Sequence, residues 1–280
     1  DGKIKDYEII HTDEYISNDE DPVRAIRRKK DASLVLAYNK LKEKGYDGLL
    51  SAGSTGGILA GGIFISKRID GIDRPTLAAP LPSIGEPTLL MDSGANMDCK
   101  PAYLEEFAIM GKVFLENVIH IENPKVGLLN VGVESHKGDK LTKEAYELLT
   151  NSKVNFVGNV EARDLFAGKV NVIVADGFAG NVAIKTAEGV ISIFKSQMKD
   201  IFYKSFKNKL AALAIKDDLS KSMGKFSSQN IGGVPLLGVK SYVYKAHGNS
   251  NDIAISNAIL GLIEYINMDV INKIQGELND

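Results

Sequence analysis

Short apolar runs that each close on a cluster of small and polar residues recur along this chain. That recurrence constrains its fold more than any single motif. The runs PTLLM (87–91), KVGLLN (125–130), VNFV (154–157), VNVIVA (170–175) and YVYK (242–245) read as strands. They end in DSGANMD (92–98), VGVESHKGD (131–139), GNVEARD (158–164), DGFAGN (176–181) and AHGNSN (246–251). Helical patterns follow most of them, at 101–115, 142–149, 181–194 and 252–266. Apolar strands alternating with helices predict an α/β fold whose sheet is mainly parallel and covered on both faces. Ligands in open α/β sheets sit beyond the carboxyl ends of the strands. Turn chemistry explains many of the Gly, Asn and Asp residues one by one. It explains less well why six such clusters fall at strand ends, so one cleft is expected there.

The sixth cluster is SAGSTGGILAGG (51–62), entered from the apolar residues 48–50. A strand, a glycine loop and a helix start in that order offer unpaired amides and a positive dipole end to an anion. Ser51, Gly53, Ser54, Thr55 and Gly56 form this candidate anion cradle, the hydroxyls adding donors. A tight turn with close helix–strand packing accounts for the same glycines. The stretch is neither G-x-G-x-x-G nor a Walker A sequence.

Other polar residues at strand ends admit two readings each. Lys137, in HKGD, is a surface lysine or a cation for an anionic group. Asp176 and Asn181 flank a glycine turn before a helix, where an N-cap competes with a role in the cleft. Asn159 and Glu161 pose the same choice. His247 suits acid, base or donor chemistry, or a structural bond to its own loop. Asp92, Asn96 and Asp98 are read as a hydrogen-bonded loop, with no metal expected. Cys99 lacks a nearby histidine that would make it a nucleophile.

The N-terminal part reads as a strand at 7–11 and a helix capped by Asp21 with Pro22 at its first position. Arg24, Arg27, Arg28, Lys29 and Lys30 follow, a solvated face or a docking patch for an acidic partner. A further helix over 32–44 is expected to stop at Gly45. The stretch 189–218 carries a long apolar stripe with lysines between, predicting a helix pair packed on the domain or in a dimer. Its LAALAI segment (210–215), flanked by Lys207, Lys209 and Lys216, is expected to form a tip suited to shallow insertion into an anionic membrane.

A net charge of −2 argues against nucleic acid as a partner. The lone Cys99 excludes an internal disulfide and fits a reducing compartment. Neither a spanning apolar run nor a signal-peptide pattern is present, so a cytoplasmic location is expected.

Taken together, SAGSTGG (51–57), GIDRP (71–75), DSGANMDCKP (92–101), GNVEARD (158–164), ADGFAGN (175–181) and KAHGNSN (245–251) resemble the bacterial phosphate acyltransferase (PlsX) family, essentially over the whole chain. The resemblance implies conversion of fatty acyl-acyl carrier protein and inorganic phosphate to acyl phosphate in phospholipid synthesis, without a cofactor. It implies a three-layer α/β/α fold like that of isocitrate and isopropylmalate dehydrogenases, as a single domain over 1–280 with a projecting helical subregion at 190–225. A homodimer attached peripherally to the cytoplasmic membrane through 206–216 is also implied. So is docking of the acidic carrier protein on basic patches such as 24–30. It favours Lys137 as a catalytic cation; Asp176, Asn181 and His247 are the other catalytic candidates, and Ser51, Gly53, Ser54, Thr55, Gly56, Asp92, Asn96, Asn159 and Glu161 the candidates for contact with phosphate or acyl substrate. The family opens with a strand and a D-A-M-G-G-D-type loop not found here, so the expectation is either a missing upstream segment or a gene product that differs from the family pattern. A soluble phosphate acetyltransferase and a non-catalytic carrier-protein or membrane-binding module are the competing readings. A decarboxylating dehydrogenase would need substrate arginines and metal-binding aspartates that do not stand out here.

Overall fold

Apolar side chains alternate between two buried faces along nearly every strand, and that alternation fixes the architecture. The computed structural model describes residues 7–224 and 232–279. One sheet runs β3 (Ala79–Leu81), β4 (Thr88–Met91), β7 (Val172–Val174), β5 (Lys125–Asn130), β6 (Asn155–Glu161). Its last four strands are parallel, and β3 joins β4 antiparallel. The second sheet runs β1 (Gly48–Ser51), β9 (Tyr242–Ala246), β8 (Gly233–Leu237), β2 (Thr76–Leu77). There β1 and β9 are parallel, whereas β8 pairs antiparallel with both of its neighbours. The short antiparallel strands β2, β3 and β8 are additions to the parallel pattern read from the sequence.

Leu89, Met91, Val126, Leu128, Val172 and Val174 point into one core, with α4 (Pro101–Phe114) and α5 (Lys140–Asn151). Leu90, Leu129 and Ile173 point into another, against α6 (Gly177–Tyr203). Strands buried on both faces read as continuous apolar runs, which is why the sequence shows them plainly. Leu104, Phe107 and Met110 of α4 are fully buried, each worth about 1.5–3 kcal/mol by the area removed from water. The second sheet is likewise sandwiched. One face packs on α1 (Pro22–Arg28), α2 (Ser33–Lys40) and α3 (Thr55–Gly61) through Ile26, Tyr38 and Ile58. The other meets α8 (Asp252–Asn267) through Ala258 and Leu262, and α9 (Val270–Asn279) packs on α4.

Several expectations change. Residues 7–11 form no strand, and Tyr7 and Ile9 stand exposed. The helix expected over 32–44 ends at Lys40, and turns carry the chain on to Gly45. α6 reaches Tyr203, and α7 (Phe206–Gly224) folds back along it after residues 204–205. The reversal is built by Ser205, whose Oγ accepts the Asn208 N–H at 3.1 Å, and by Asn208 Nδ2, which donates to the Ile201 carbonyl at 2.7 Å. Hence 210–215 lies along α7 and not at the tip, where Tyr203 and Phe206 are exposed instead. Residue 225, the last of the expected subregion, lies outside the described residues. Among the described residues, no single helix is long and apolar enough to cross a membrane.

Candidate functional site

α6 starts where β7 ends, and the segment carrying Asp92 and Asn96 lies directly on its first turn. Asp176 caps the helix, its Oδ1 accepting the Ala179 N–H at 2.7 Å. The Gly177 N–H donates to the Asn96 carbonyl at 2.7 Å. A Cβ on Gly177 would stand 2.5 Å from that oxygen, and one on Gly180 only 2.0 Å from the Asp92 carbonyl. The glycines of 176–181 therefore serve this close approach. Gly94, at φ +125°, brings the loop against Asn181: a Cβ there would lie 3.3 Å from Asn181 Cβ.

Asp92 and Asn96 are buried. The Asp92 carboxylate accepts N–H groups from Gly94 at 3.3 Å, Ala95 at 3.0 Å and Asn96 at 2.5 Å, and the Asn96 side-chain amide at 3.0 Å. Asn96 Nδ2 also donates to the Pro75 carbonyl at 2.8 Å. Burial pushes the Asp92 carboxyl above the usual carboxylate range, while these hydrogen bonds pull it back. Both residues were expected to touch substrate. They turn inward instead, because their polar atoms are spent on shaping the loop that seats α6.

The loop after β5 is held in a similar way. Asn130 Nδ2 donates to the Lys137 carbonyl at 3.1 Å, Asn159 Nδ2 to the Glu134 carbonyl at 2.8 Å, and Asp139 caps α5 through the Thr142 N–H. Lys137 is thereby fixed by its backbone. Its side chain is exposed and makes no ion pair among the described residues. Asn159 is buried within β6 and its Oδ1 has no hydrogen-bond partner among the described residues. Glu161, at the end of β6, pairs with Arg163.

A cavity of about 560 Å³ opens between these loops and α6. Leu129, Leu165, Val182 and Ala183 supply apolar wall, with Asn130, Thr142 and Asp176 also lining it. A smaller cavity of about 190 Å³ is lined by Ile184, Ile191, Val234, Lys245 and His247. Phe166 and Ala187 border both. Asp176 and His247 consequently serve neighbouring cavities across that shared wall, and the four expected catalytic side chains do not converge in one. His247 itself is exposed, and its Nδ1 accepts the Asn249 N–H at 3.4 Å.

The glycine-rich 51–62 stretch is partly packing. A Cβ on Gly61 would meet the Tyr38 ring at 2.1 Å, and one on Gly62 would lie 2.7 Å from Leu236 Cδ2. Ser54 caps α3, its Oγ accepting the Gly57 N–H at 3.3 Å, and Ser51 Oγ accepts the Gly53 N–H at 3.2 Å. Ser51, Gly53, Ser54, Thr55 and Gly56 line neither cavity. Their loop sits beside 245–251, with Ser51 in register with Lys245. Lys245 is not among the candidates the sequence motifs single out, although a lysine inside the apolar run YVYKA is a signal.

A family model described as fatty acid synthesis protein matches residues 3–273. A phosphate acyltransferase from Oceanobacillus iheyensis is 50% identical over 256 residues, covering 91% of this chain and 77% of the relative. One from Thermoanaerobacterium thermosaccharolyticum is 45% identical over 270 residues, covering 96% and 81%. Among solved structures, a phosphotransacetylase from Streptococcus pyogenes aligns with TM-score 0.55 at 18% identity, covering 99% of this chain and 80% of that one. A branched-chain phosphotransacylase from Enterococcus faecalis aligns with TM-score 0.53 at 14% identity, covering 84% and 79%. At these identities the two structures share a fold with this chain, a three-layer α/β/α arrangement.

Proposed function

This chain belongs to the fatty acid synthesis protein family, among its phosphate acyltransferases, and on that premise we propose how it carries out acyl transfer to phosphate. The enzyme is an acyltransferase whose substrates are fatty acyl-acyl carrier protein and inorganic phosphate. A phosphate oxygen attacks the thioester carbonyl, forming a C–O bond and a tetrahedral oxyanion. Collapse breaks the C–S bond and releases the carrier thiolate, which takes up a proton. Phosphate is itself the nucleophile, so the chain need only hold it against the carbonyl and stabilise the oxyanion.

The observation that carries this reading is the apolar cavity beneath α6, whose lining joins hydrocarbon wall to Asp176, Asn130 and Thr142. Its volume falls within the usual range of ligand sites, about 300–1,000 Å³. Acyl chain in that cavity brings the thioester toward the strand ends. There Lys137, unpaired and held by its loop, stabilises charge on the oxyanion or phosphate. Asp176 and Asn181 orient the reacting groups, and His247 protonates the departing thiolate. The 51–56 loop receives phosphate, while Asp92, Asn96, Asn159 and Glu161 act as positioning residues.

Docking of the acidic carrier protein on Arg24, Arg27 and Arg28 is supported by their side-by-side placement, with the Arg27 guanidinium 4.6 Å from the Phe64 ring centroid. Peripheral attachment to the cytoplasmic membrane is supported by exposed Tyr203, Phe206, Leu210 and Leu213 on the α6–α7 hairpin. A homodimer is supported by the exposed apolar residues Ile253, Ile259, Leu260 and Ile263 on α8. Substrate competition tests the acyl preference. The purified protein should form acyl phosphate far faster from palmitoyl-carrier protein than from acetyl-coenzyme A, and the reverse order would assign it to short-chain transfer.

A further inference from the structure

We infer that Lys245 is an anion-binding residue of the reaction cleft, its ammonium holding inorganic phosphate beside Ser51. The inference rests on the acyltransferase reading for the identity of the anion. Strand register carries it. Ser51 on β1 and Val234 on β8 are both the direct partners of Lys245 on β9, so the three side chains share one face of the second sheet. Val234 and Lys245 line the smaller cavity with His247, and the 51–56 loop leaves the sheet at Ser51. The lysine thus stands between the phosphate loop and the cavities under α6.

Its electrostatic setting fits an anion. Lys245 is half-buried in an apolar strand and forms no ion pair among the described residues. Lys185 and Glu188 face it from α6: Glu188 lines the same cavity, and its carboxylate is paired with the Lys185 ammonium at 2.7 Å rather than with Lys245. Burial, and secondarily Lys185, make Lys245 give up its proton more readily than an ordinary lysine. An unpaired cation so placed costs stability in the empty protein, and a bound phosphate offsets that cost.

The test is phosphate binding by equilibrium dialysis, with thermal denaturation in phosphate-free buffer alongside. Lys245→Met should weaken phosphate binding about tenfold or more, the loss expected for a hydrogen bond to a charged group. Its melting temperature should equal or exceed that of the wild type. Lys245→Arg should keep most of the affinity, and Lys169→Met, a surface control, all of it. Phosphate should also slow reductive methylation of Lys245 in the wild-type protein, a readout that needs no variant to fold. Unchanged affinity in Lys245→Met, or methylation indifferent to phosphate, would overturn the inference. Binding that depends on Lys245 in a protein forming no acyl phosphate would instead retain the site and refute the activity.

Discussion

Placing one methyl group at two positions of α6 should give effects of opposite sign. At Gly180, a Cβ would stand 2.0 Å from the Asp92 carbonyl oxygen, and ordinary contact needs 3.4 Å or more. The loop or the helix start must therefore give way by 1.4 Å, the difference of those two distances. Such a shift parts the Gly177–Asn96 and Asp92–Ala175 backbone hydrogen bonds, now 2.7 Å and 3.0 Å long. Overpacking costs about 1–3 kcal/mol, the two hydrogen bonds about 1 kcal/mol each, and alanine returns about 1 kcal/mol of helix propensity. Gly180→Ala should thus destabilise the protein by about 2–4 kcal/mol. At Gly189 the added Cβ meets nothing within 4 Å outside its own helix among the described residues, so Gly189→Ala should stabilise by about 0.5–1 kcal/mol. The chain has no tryptophan, so urea unfolding would be followed by far-UV circular dichroism. A Gly180→Ala protein as stable as the wild type, or two substitutions of the same sign, would refute the seating of the 92–96 loop on α6.

Lys137→Ala should leave the melting temperature unchanged, because the side chain is exposed and unpaired, yet lower kcat/KM at least about tenfold if its charge meets the oxyanion; equal kcat/KM would remove it from the mechanism. The Cys99 thiol is pushed up to about 12 by burial first, against an ordinary 9.0. Its thiolate fraction at pH 8 therefore falls about a thousandfold below that of the unfolded chain, and native labelling by a disulfide reagent should be slower than denatured labelling by at least a hundredfold. The folded chain holds this proton to higher pH than the unfolded one, so the thiol weakens the fold only as pH rises above 9.0. Phe206→Glu should reduce co-sedimentation with anionic lipid vesicles without altering turnover of carrier-bound substrate in their absence; undiminished sedimentation would move any membrane contact elsewhere.

Much of the layering is legible in the sequence, for a physical reason. KVGLLN is buried on both faces and coincides with β5, Lys125–Asn130, while Asp21 and Pro22 start α1 as expected. Strands of two or three residues carry no such signal, so β2 and β3 were not foreseen. The helix reversal rested on Ser205, one hydroxyl among many. Site residues were harder to read because identity does not disclose direction. Asp92 and Asn96 are as polar as Asp176, but only the structure shows them bonded inward while Asp176 lines a cavity. Lys245 was hidden in the opposite way, as one charge in an apolar strand whose importance depends on Ser51, distant in sequence and adjacent in the sheet.

The most direct test of the central claim is the stoichiometry of a single reaction. Purified protein, palmitoyl-carrier protein and inorganic phosphate would be mixed, and free carrier thiol counted against hydroxylamine-trapped acyl phosphate. Equal amounts of both, appearing only with phosphate, are expected. Thiol released without trapped acyl phosphate, or at the same rate in the absence of phosphate, would show a thioester hydrolase and contradict phosphate as the nucleophile.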